Sequence, residues 1–259
     1  MNVFKQLFIS IYSPKAISTF RFQGIGKTIL FVFILSLLST IPSWFHLTNE
    51  LKEASKGVNQ TLTEDFPSFS IEDGKLITDT NHPVEINRNE FTFILDGTGT
   101  YGVEEIEEKN NAIGILEDRF VFVTNGQAQA YEYSLLNISL TKEDLVDLSK
   151  QFNQLLPIIM TVLIILMFLF SAFVKFIEVT ILALFGKAIN NNLQRNLNFS
   201  KIWIISAYAS TLATFFFFIM DLLQVIVPGG FLLNWFVHIF VLFLTLKEIP
   251  QTKNPLQVS

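Results

Sequence analysis

The sequence contains no cysteine, only three histidines and few charged residues for its length. The lack of cysteine excludes disulfides and thiolate metal sites. The histidines, His46, His82 and His238, lie far apart in the sequence, which argues against a structural zinc site, so we predict no metal and no cofactor. Charged residues make up only 16% of the 259 residues, whereas 50% are hydrophobic and 28 are Phe. This composition is too apolar for an ordinary soluble domain and predicts a polytopic membrane protein with one modest polar domain.

The few charges are unevenly distributed. Residues 45–150 contain 8 Lys/Arg and 20 Asp/Glu, a net charge of −12, whereas the rest of the chain contains 10 Lys/Arg and 3 Asp/Glu, a net charge of +7. Nucleic acid binding needs a basic face, which the acidic segment does not offer. We therefore predict no nucleic acid partner.

Four apolar stretches are long enough to be membrane spans. Residues 155–174 are twenty consecutive residues without a charge, and a helix of that length spans about 30 Å, the thickness of a bilayer's hydrocarbon core. This stretch continues to Phe185, but we expect the span to end near Lys175. The other predicted spans are 28–47, 202–227 and 231–246.

Positive charge near the ends of spans marks the cytoplasmic side of a membrane protein. Basic residues without acidic ones occur in 1–27 and in 186–201. The predicted organisation is an amphipathic cytoplasmic N-terminal segment (1–27), a first transmembrane helix (28–47), an extracytoplasmic β-rich domain (48–150), a three-helix transmembrane region (151–246) with a cytoplasmic loop (186–201), and a cytoplasmic tail (247–259). This predicts a multi-pass protein of the plasma membrane with both termini in the cytoplasm. The oligomeric state stays open.

Short alternating runs between the first two spans predict a small, mainly antiparallel sheet. The predicted strands are 66–71, 75–78, 91–95, 112–116, 119–124 and 127–133. The last two flank Asn125-Gly126, which is a strong hairpin signal. Thr141 with Asp144 resembles a capping box at the start of the next helix. The fold class is therefore an α-helical polytopic membrane protein of four spans with an inserted, mainly-β extracytoplasmic domain.

One candidate site lies in the predicted external domain, at the turn Asp96-Gly97-Thr98-Gly99. It resembles the Asp-Thr-Gly of aspartic proteases, but Gly97 interrupts that pattern and one copy cannot supply two carboxylates. A glycine-rich turn that ends a strand is the better interpretation.

Ionisable residues inside apolar runs form the second set of candidates: Lys175, Glu178, Asp221 and His238. Lys175 and Glu178 are one helical turn apart and can pair, either in a transport path or at the membrane edge with side chains that extend to water. Ionisable groups within a membrane indicate function by default. The alternative for His238 is a neutral ring bonded to Ser206, Tyr208 or Ser210.

The opening FKQLFISIYSPKAISTFRFQGIGKTILFVFILSLLS resembles the bacterial membrane family called domain of unknown function 1189, as do FILDGTG at 93–99 and the order span, external domain, three spans. The segment LALFGKAIN…NFSKIWIISAYAS (182–210) is similar to the wider Yip-domain membrane superfamily. Some family members carry a maltodextrin-utilisation label, which implies an association with sugar uptake.

We expect a non-enzymatic envelope protein whose external domain binds a ligand or a protein partner. The first alternative is a transport component or accessory, related to maltodextrin, that uses polar groups among the last three spans and works with a membrane partner or transporter. A membrane-embedded hydrolase is the third possibility, although no acid/base pair or nucleophile motif supports it. A sugar at the external domain would bind through Tyr101, Tyr131 or Tyr133, whereas the charge of that domain favours cationic or neutral partners.

Overall fold

A computed structural model of the protein describes residues 1–88, 91–136 and 139–251. The chain divides into two compact units, one of which comprises Met1–His46 and Val162–Ser259 and the other Leu47–Thr161. Both divisions fall within long helices, so the unit that contains the sheets also includes helical residues beyond the predicted 48–150 domain. We call the first the helical unit and the second the sheet unit.

The helical unit begins with two short helices, α1 (Val3–Tyr12) and α2 (Pro14–Thr19). Pro14 occupies the first turn of α2, where its missing N–H leaves no bond unmade. The predicted amphipathic helix is present as α1, but its polar Gln6 is buried against the bundle whereas Phe4 and Phe8 are 60% and 65% exposed. These two phenylalanines therefore point away from the protein, whereas Val3 and Leu7 pack against the core of the helical unit.

The next helix, α3 (Ile25–Gln60), has 36 residues and continues into a π-helical turn, Thr61–Asp65. At 1.5 Å per residue α3 alone is about 54 Å long. It includes the predicted span 28–47, and Pro42 lies within it.

The described residues of the sheet unit form eight strands: β1 (Phe69–Glu72), β2 (Lys75–Thr78), β3 (Val84–Arg88), β4 (Phe91–Leu95), β5 (Ala112–Ile115), β6 (Arg119–Thr124), β7 (Gln127–Glu132) and β8 (Leu140–Thr141). They form a three-stranded sheet, β2-β1-β8, and a five-stranded sheet, β3-β4-β5-β6-β7. All pairs are antiparallel except β4–β5, which the helix α4 (Val103–Glu107) connects. A short helix, α5 (Tyr133–Leu136), follows β7.

The hairpin predicted at Asn125-Gly126 is confirmed. Thr124 pairs with Gln127, and the two turn residues have φ of 52° and 72°, as a type I′ turn requires. Strand β3 was not predicted, because its sequence VEINR is mostly polar and only partly buried.

The strand β4, which lies between β3 and β5, packs on both of its faces. Phe93 and Leu95 lie in one apolar cluster with Tyr133, while Ile94 lies in a second cluster with Ile106 of α4. A strand buried on both faces reads as a continuous apolar run, which explains the sequence FTFIL.

The longest helix, α6 (Lys142–Asn192), has 51 residues and Pro157 within it. Thr141 and Asp144 cap its start reciprocally, since the Thr141 N–H donates to Asp144 Oδ2 (2.9 Å) and the Asp144 N–H to Thr141 Oγ1 (3.2 Å). The predicted loop 186–201 is largely helical instead, because α6 continues to Asn192 and the next helix begins at Phe199. Polar residues without a helix breaker extend the helix, and only 193–198 remain outside it.

The last part of the helical unit consists of α7 (Phe199–Ala209), α8 (Thr211–Leu222) and α9 (Gly230–Lys247). Ser210 separates α7 from α8. Gly186 of α6 allows close packing, because a Cβ there would lie 2.7 Å from Ile202 Cγ2 and 3.0 Å from Leu242 Cδ2.

Four segments of the described chain are helical, long and apolar enough to cross a membrane: Ile25–Asp65, Lys142–Asn192, Phe199–Leu222 and Gly230–Lys247. With the two sheets, they give the combination of helices and strands that the sequence predicts.

Candidate functional site

The helical unit contains a buried cluster of ionisable side chains that begins on α6. Lys175 Nζ lies 2.6 Å from Glu178 Oε2, one helical turn away. The two side chains are only 10% and 12% exposed. Of the two alternatives for this pair, their burial favours contacts within the helical unit over side chains that extend to water, because neighbouring helices cover them.

Helix α9 contributes two further contacts to the Glu178 carboxylate. Asn234 Nδ2 donates to Glu178 Oε1 at 2.9 Å. His238 Nδ1 lies 3.0 Å from the same oxygen, an ion-pair distance without the alignment of a straight hydrogen bond. Asn234 and His238 are four residues apart, so α9 presents both on one face.

The break between α7 and α8 supplies the remaining polar contacts. His238 Nε2 lies 3.1 Å from the carbonyl oxygen of Ser210. Lys175 Nζ donates to Thr214 Oγ1 (3.2 Å), and Thr214 Oγ1 donates to the Ser210 carbonyl (2.8 Å). Of the three partners expected for His238, Ser210 is the one observed, through its backbone.

Two open clefts meet at Lys175. The first, of about 360 Å³, is lined by hydroxyl side chains of α3, including Ser39 and Ser43, and by Lys175 and Glu178. The second, of about 300 Å³, is lined by Ser39, Lys175, Thr214, Asp221 and Asn234, among others. Glu178 and Asn234 therefore reach the clefts, whereas His238 is fully buried behind them.

Three of the four ionisable candidates come together, namely Lys175, Glu178 and His238. Asp221 lies apart: it lines the second cleft, and its backbone carbonyl is 3.1 Å from His46 Nε2. Sequence reasoning missed Asn234, which lies one turn before His238 in an otherwise apolar run.

The cluster also places Lys175 relative to α9. His238 lies near the middle of α9 and contacts Glu178. Lys175 and Glu178 are therefore level with the middle of a candidate span. Where the second span ends on α6 stays a prediction.

The candidate turn Asp96-Gly97-Thr98-Gly99 closes the end of β4. Asp96 Oδ1 accepts from the Thr98 N–H (2.8 Å) and Oγ1 (2.6 Å), and Oδ2 accepts from the Tyr101 N–H (2.6 Å). Burial raises the pKa of Asp96, but these hydrogen bonds lower it further than burial raises it, and the net pKa lies below the ordinary value. A carboxylate whose oxygens accept from its own loop orders that loop.

The glycines of this turn have structural roles. A Cβ on Gly97 would lie 2.9 Å from Thr78 Cγ2 of β2, and Gly99 has a φ of 72°, which disfavours other residues. The turn therefore docks on β2 and keeps its shape.

The three tyrosines considered for a sugar differ in their surroundings. Tyr133 is fully buried and donates to the Leu116 carbonyl at 2.9 Å, and burial raises its pKa. It cannot present a face to a ligand. Tyr101 donates to Glu85 Oε2 at 2.8 Å. Tyr131 is 46% exposed and packs edge-on against Phe122, also exposed, at 6.3 Å between ring centroids.

Among the residues that the structure describes, no three His, Asp or Glu side chains are grouped to hold a metal ion. The cluster at Lys175 offers a cation, a carboxylate and an imidazole instead. This arrangement can bind a polar molecule or a proton.

The family model described as "Protein of unknown function (DUF1189)" matches residues 4–246, nearly the whole chain. No curated protein and no solved structure matches. The similarity to the Yip-domain superfamily and the maltodextrin label stay predictions.

Proposed function

The chain belongs to the family described as Protein of unknown function (DUF1189), and on that premise we propose that it is an integral membrane protein whose helical unit binds a polar solute. It would act as a component or accessory of a transport system and carry out no catalytic step. Its location would be the plasma membrane, with both termini in the cytoplasm and the sheet unit outside.

The apolar surface of α6 supports a bilayer as the environment. Phe170, Phe173 and Leu166 are 70%, 63% and 56% exposed, and many of their neighbours along the helix are also exposed. Soluble monomers rarely expose contiguous apolar patches of this kind. Lipid tails would cover this surface.

The observation that carries the solute-binding proposal is the buried contact of Lys175, Glu178 and His238. Ionisable side chains within a membrane are expensive to bury, so they mark solute or ion pathways by default. Here they adjoin a cleft of about 360 Å³, a size that falls within the range of small-molecule sites.

The solute we propose is a polyhydroxylated molecule. Ser39, Thr40 and Ser43 line the first cleft together with Lys175 and Glu178. Hydroxyl, ammonium and carboxylate groups on one wall can exchange hydrogen bonds with several hydroxyls of a sugar. The maltodextrin label that the resemblance implies makes maltotriose the first probe.

The test is equilibrium binding of maltotriose to the full chain in lipid nanodiscs. We expect Lys175→Met to abolish binding, and Ser39→Leu to weaken it by filling both clefts without removing a charge. Lys150→Met is the matched control, since Lys150 pairs with Asp147 at 3.0 Å on the same helix but is 58% exposed. Undiminished binding in folded Ser39→Leu and Lys175→Met would contradict the proposal.

A second candidate, recognition by the sheet unit, rests on the exposed aromatic pair Phe122 and Tyr131 on the β6–β7 hairpin. Exposed aromatic faces suit sugars or protein partners, and segment 45–150 carries a net charge of −12. The same assay separates the two candidates. If Tyr131→Ala abolishes maltotriose binding and Lys175→Met does not, the sheet unit is the binding site.

A further inference from the structure

The hydrogen-bonding surroundings of His238 are unusual because both ring nitrogens face oxygen atoms. Nε2 is 3.1 Å from the Ser210 carbonyl, which can only accept. Nδ1 is 3.0 Å from Glu178 Oε1, close enough for an ion pair although not aligned for a straight hydrogen bond. A neutral imidazole carries one N–H, so either neutral tautomer leaves a nitrogen lone pair against an oxygen lone pair if Glu178 is ionised.

One additional proton removes this conflict. On His238 it gives a second N–H that faces Glu178, and on Glu178 it gives an O–H that faces Nδ1. Both forms fit the observed distances, and both hold one proton more than a neutral ring beside an ionised carboxylate. The ring is fully buried, so water cannot relieve the conflict.

We propose that Glu178 and His238 share one exchangeable proton, so that the solute site of the helical unit is also a proton-binding site. The inference rests on the proposed function in one respect, that the proton serves as the coupling ion of a transport component. On release the proton passes to solvent and leaves a neutral imidazole and a carboxylate.

Lys175 is the other charged group in contact with Glu178, and its positive charge favours release of the additional proton. Lys175 of α6 binds the second carboxylate oxygen, Oε2, at 2.6 Å and so leaves Oε1 to His238 and Asn234. Helix α8 contributes Thr214 beside Lys175 and, further along the second cleft, Asp221. Helix α3 contributes the hydroxyls of Ser39 and others to the cleft walls. Glu178 lines the first cleft, so it connects the buried ring to water.

Release of the proton would act on the break between α7 and α8. Without it, His238 must give up its contact with either Glu178 or Ser210. The Ser210 carbonyl also accepts from the Thr214 side chain, which binds Lys175. Loss of the proton would therefore loosen a connected set of contacts among α6, α8 and α9, which is the kind of change that a coupling element needs.

The experiment observes His238 directly in the full chain. The sequence has only two other histidines, so His46→Gln with His82→Gln leaves His238 as the sole histidine. Solid-state ¹⁵N NMR of the histidine-labelled protein in bilayers reports whether one or both ring nitrogens are protonated. Infrared spectroscopy of the same samples reports a protonated carboxyl through its C=O stretching band.

We expect the ring to be doubly protonated, or a protonated carboxyl band to be present, with loss of that signal in a single step as the pH rises. Glu178→Gln should abolish the signal and its pH dependence, because the amide N–H can donate to Nδ1 in place of the shared proton. Asp147→Asn, on the exposed pair of the same helix, should leave it unchanged. A neutral ring without a protonated carboxyl in the unsubstituted site would overturn the proposal.

Maltotriose binding is measured on the same samples. A shared proton without maltotriose binding preserves this inference and removes that solute as support for the proposed function. Maltotriose binding without a shared proton overturns this inference and leaves the proposed function supported.

Discussion

Breaking the ion pair between Lys175 and Glu178 should destabilise the helical unit strongly. Lys175→Met removes the ammonium group 2.6 Å from Glu178 Oε2 and leaves a carboxylate that is 12% exposed without its lysine partner. Removing one partner of a buried pair typically costs about 3–5 kcal/mol, because the remaining charge stays buried. Replacing both partners with neutral residues of similar shape is often close to neutral.

The double variant Lys175→Met/Glu178→Gln should therefore recover most of the loss. The introduced glutamine amide can still bond Asn234 and His238, so the cluster keeps its hydrogen bonds. Equilibrium unfolding in mixed micelles of increasing SDS content measures both variants and Glu178→Gln, and the double-mutant cycle gives the coupling between the two residues.

The exposed pair Asp147–Lys150 on the same helix is the control. Its geometry is comparable at 3.0 Å, but its side chains are 68% and 58% exposed, and surface pairs contribute little. If Lys175→Met were no more destabilising than Lys150→Met, the reasoning from burial would be refuted.

Three further predictions concern packing, pH and orientation. Gly186→Ala should lower the free energy of unfolding by roughly 1–3 kcal/mol, because the added methyl group overpacks against α7 and α9. Gly24→Ala is the control: a Cβ at this position would have no atom within 4 Å, so it should have no measurable effect on thermal stability. Folding lowers the pKa of Asp96, so the ionised Asp96 carboxylate stabilises the folded state. This stabilisation is complete above the ordinary Asp pKa of about 3.9 and is lost as the pH falls through the pKa of Asp96 in the folded state. Asp96→Asn should therefore lower the melting temperature at pH 7 and flatten its decline below about pH 4; an unchanged acid profile would contradict this. Single cysteines at Gln127 and Asn192 should react with an impermeant maleimide in intact cells and only after permeabilisation, respectively, and the reverse pattern would invert the orientation.

Local signals predicted much of the secondary structure. The Asn125-Gly126 hairpin and the Thr141–Asp144 cap depend on backbone preferences of a few adjacent residues. The extent of α6 beyond 186 was not predicted, because the polar composition of 186–201 resembles that of a loop, although GKAINNN contains no proline and its one glycine, Gly186, packs closely against other helices. The strand β3 was missed for a related reason, since pairing with β4 stabilises a sequence with little apolar alternation.

The candidate site was predicted only in its parts. The spacing of Lys175 and Glu178 predicted their pairing, and the apolar surroundings of His238 identified it as unusual. The contact between Glu178 and His238 depends on how α9 packs beside α6 and α8. The residue spacing within a single helix carries no information about that packing. The same limit explains why Asn234 and the Ser210 carbonyl were missed.

The central claim is that a water-accessible polar cleft lies inside a membrane-embedded helical unit. Its most direct test compares single cysteines at Ser39 and Leu37 on α3. Ser39 lines both clefts, whereas Leu37, two residues away, is 51% exposed on an apolar surface that lipid should cover. Since the chain has no native cysteine, each variant reports one position. In bilayers, a charged methanethiosulfonate reagent should modify Ser39→Cys and leave Leu37→Cys unmodified. Modification of Leu37→Cys at a rate equal to or above that of Ser39→Cys would contradict the account.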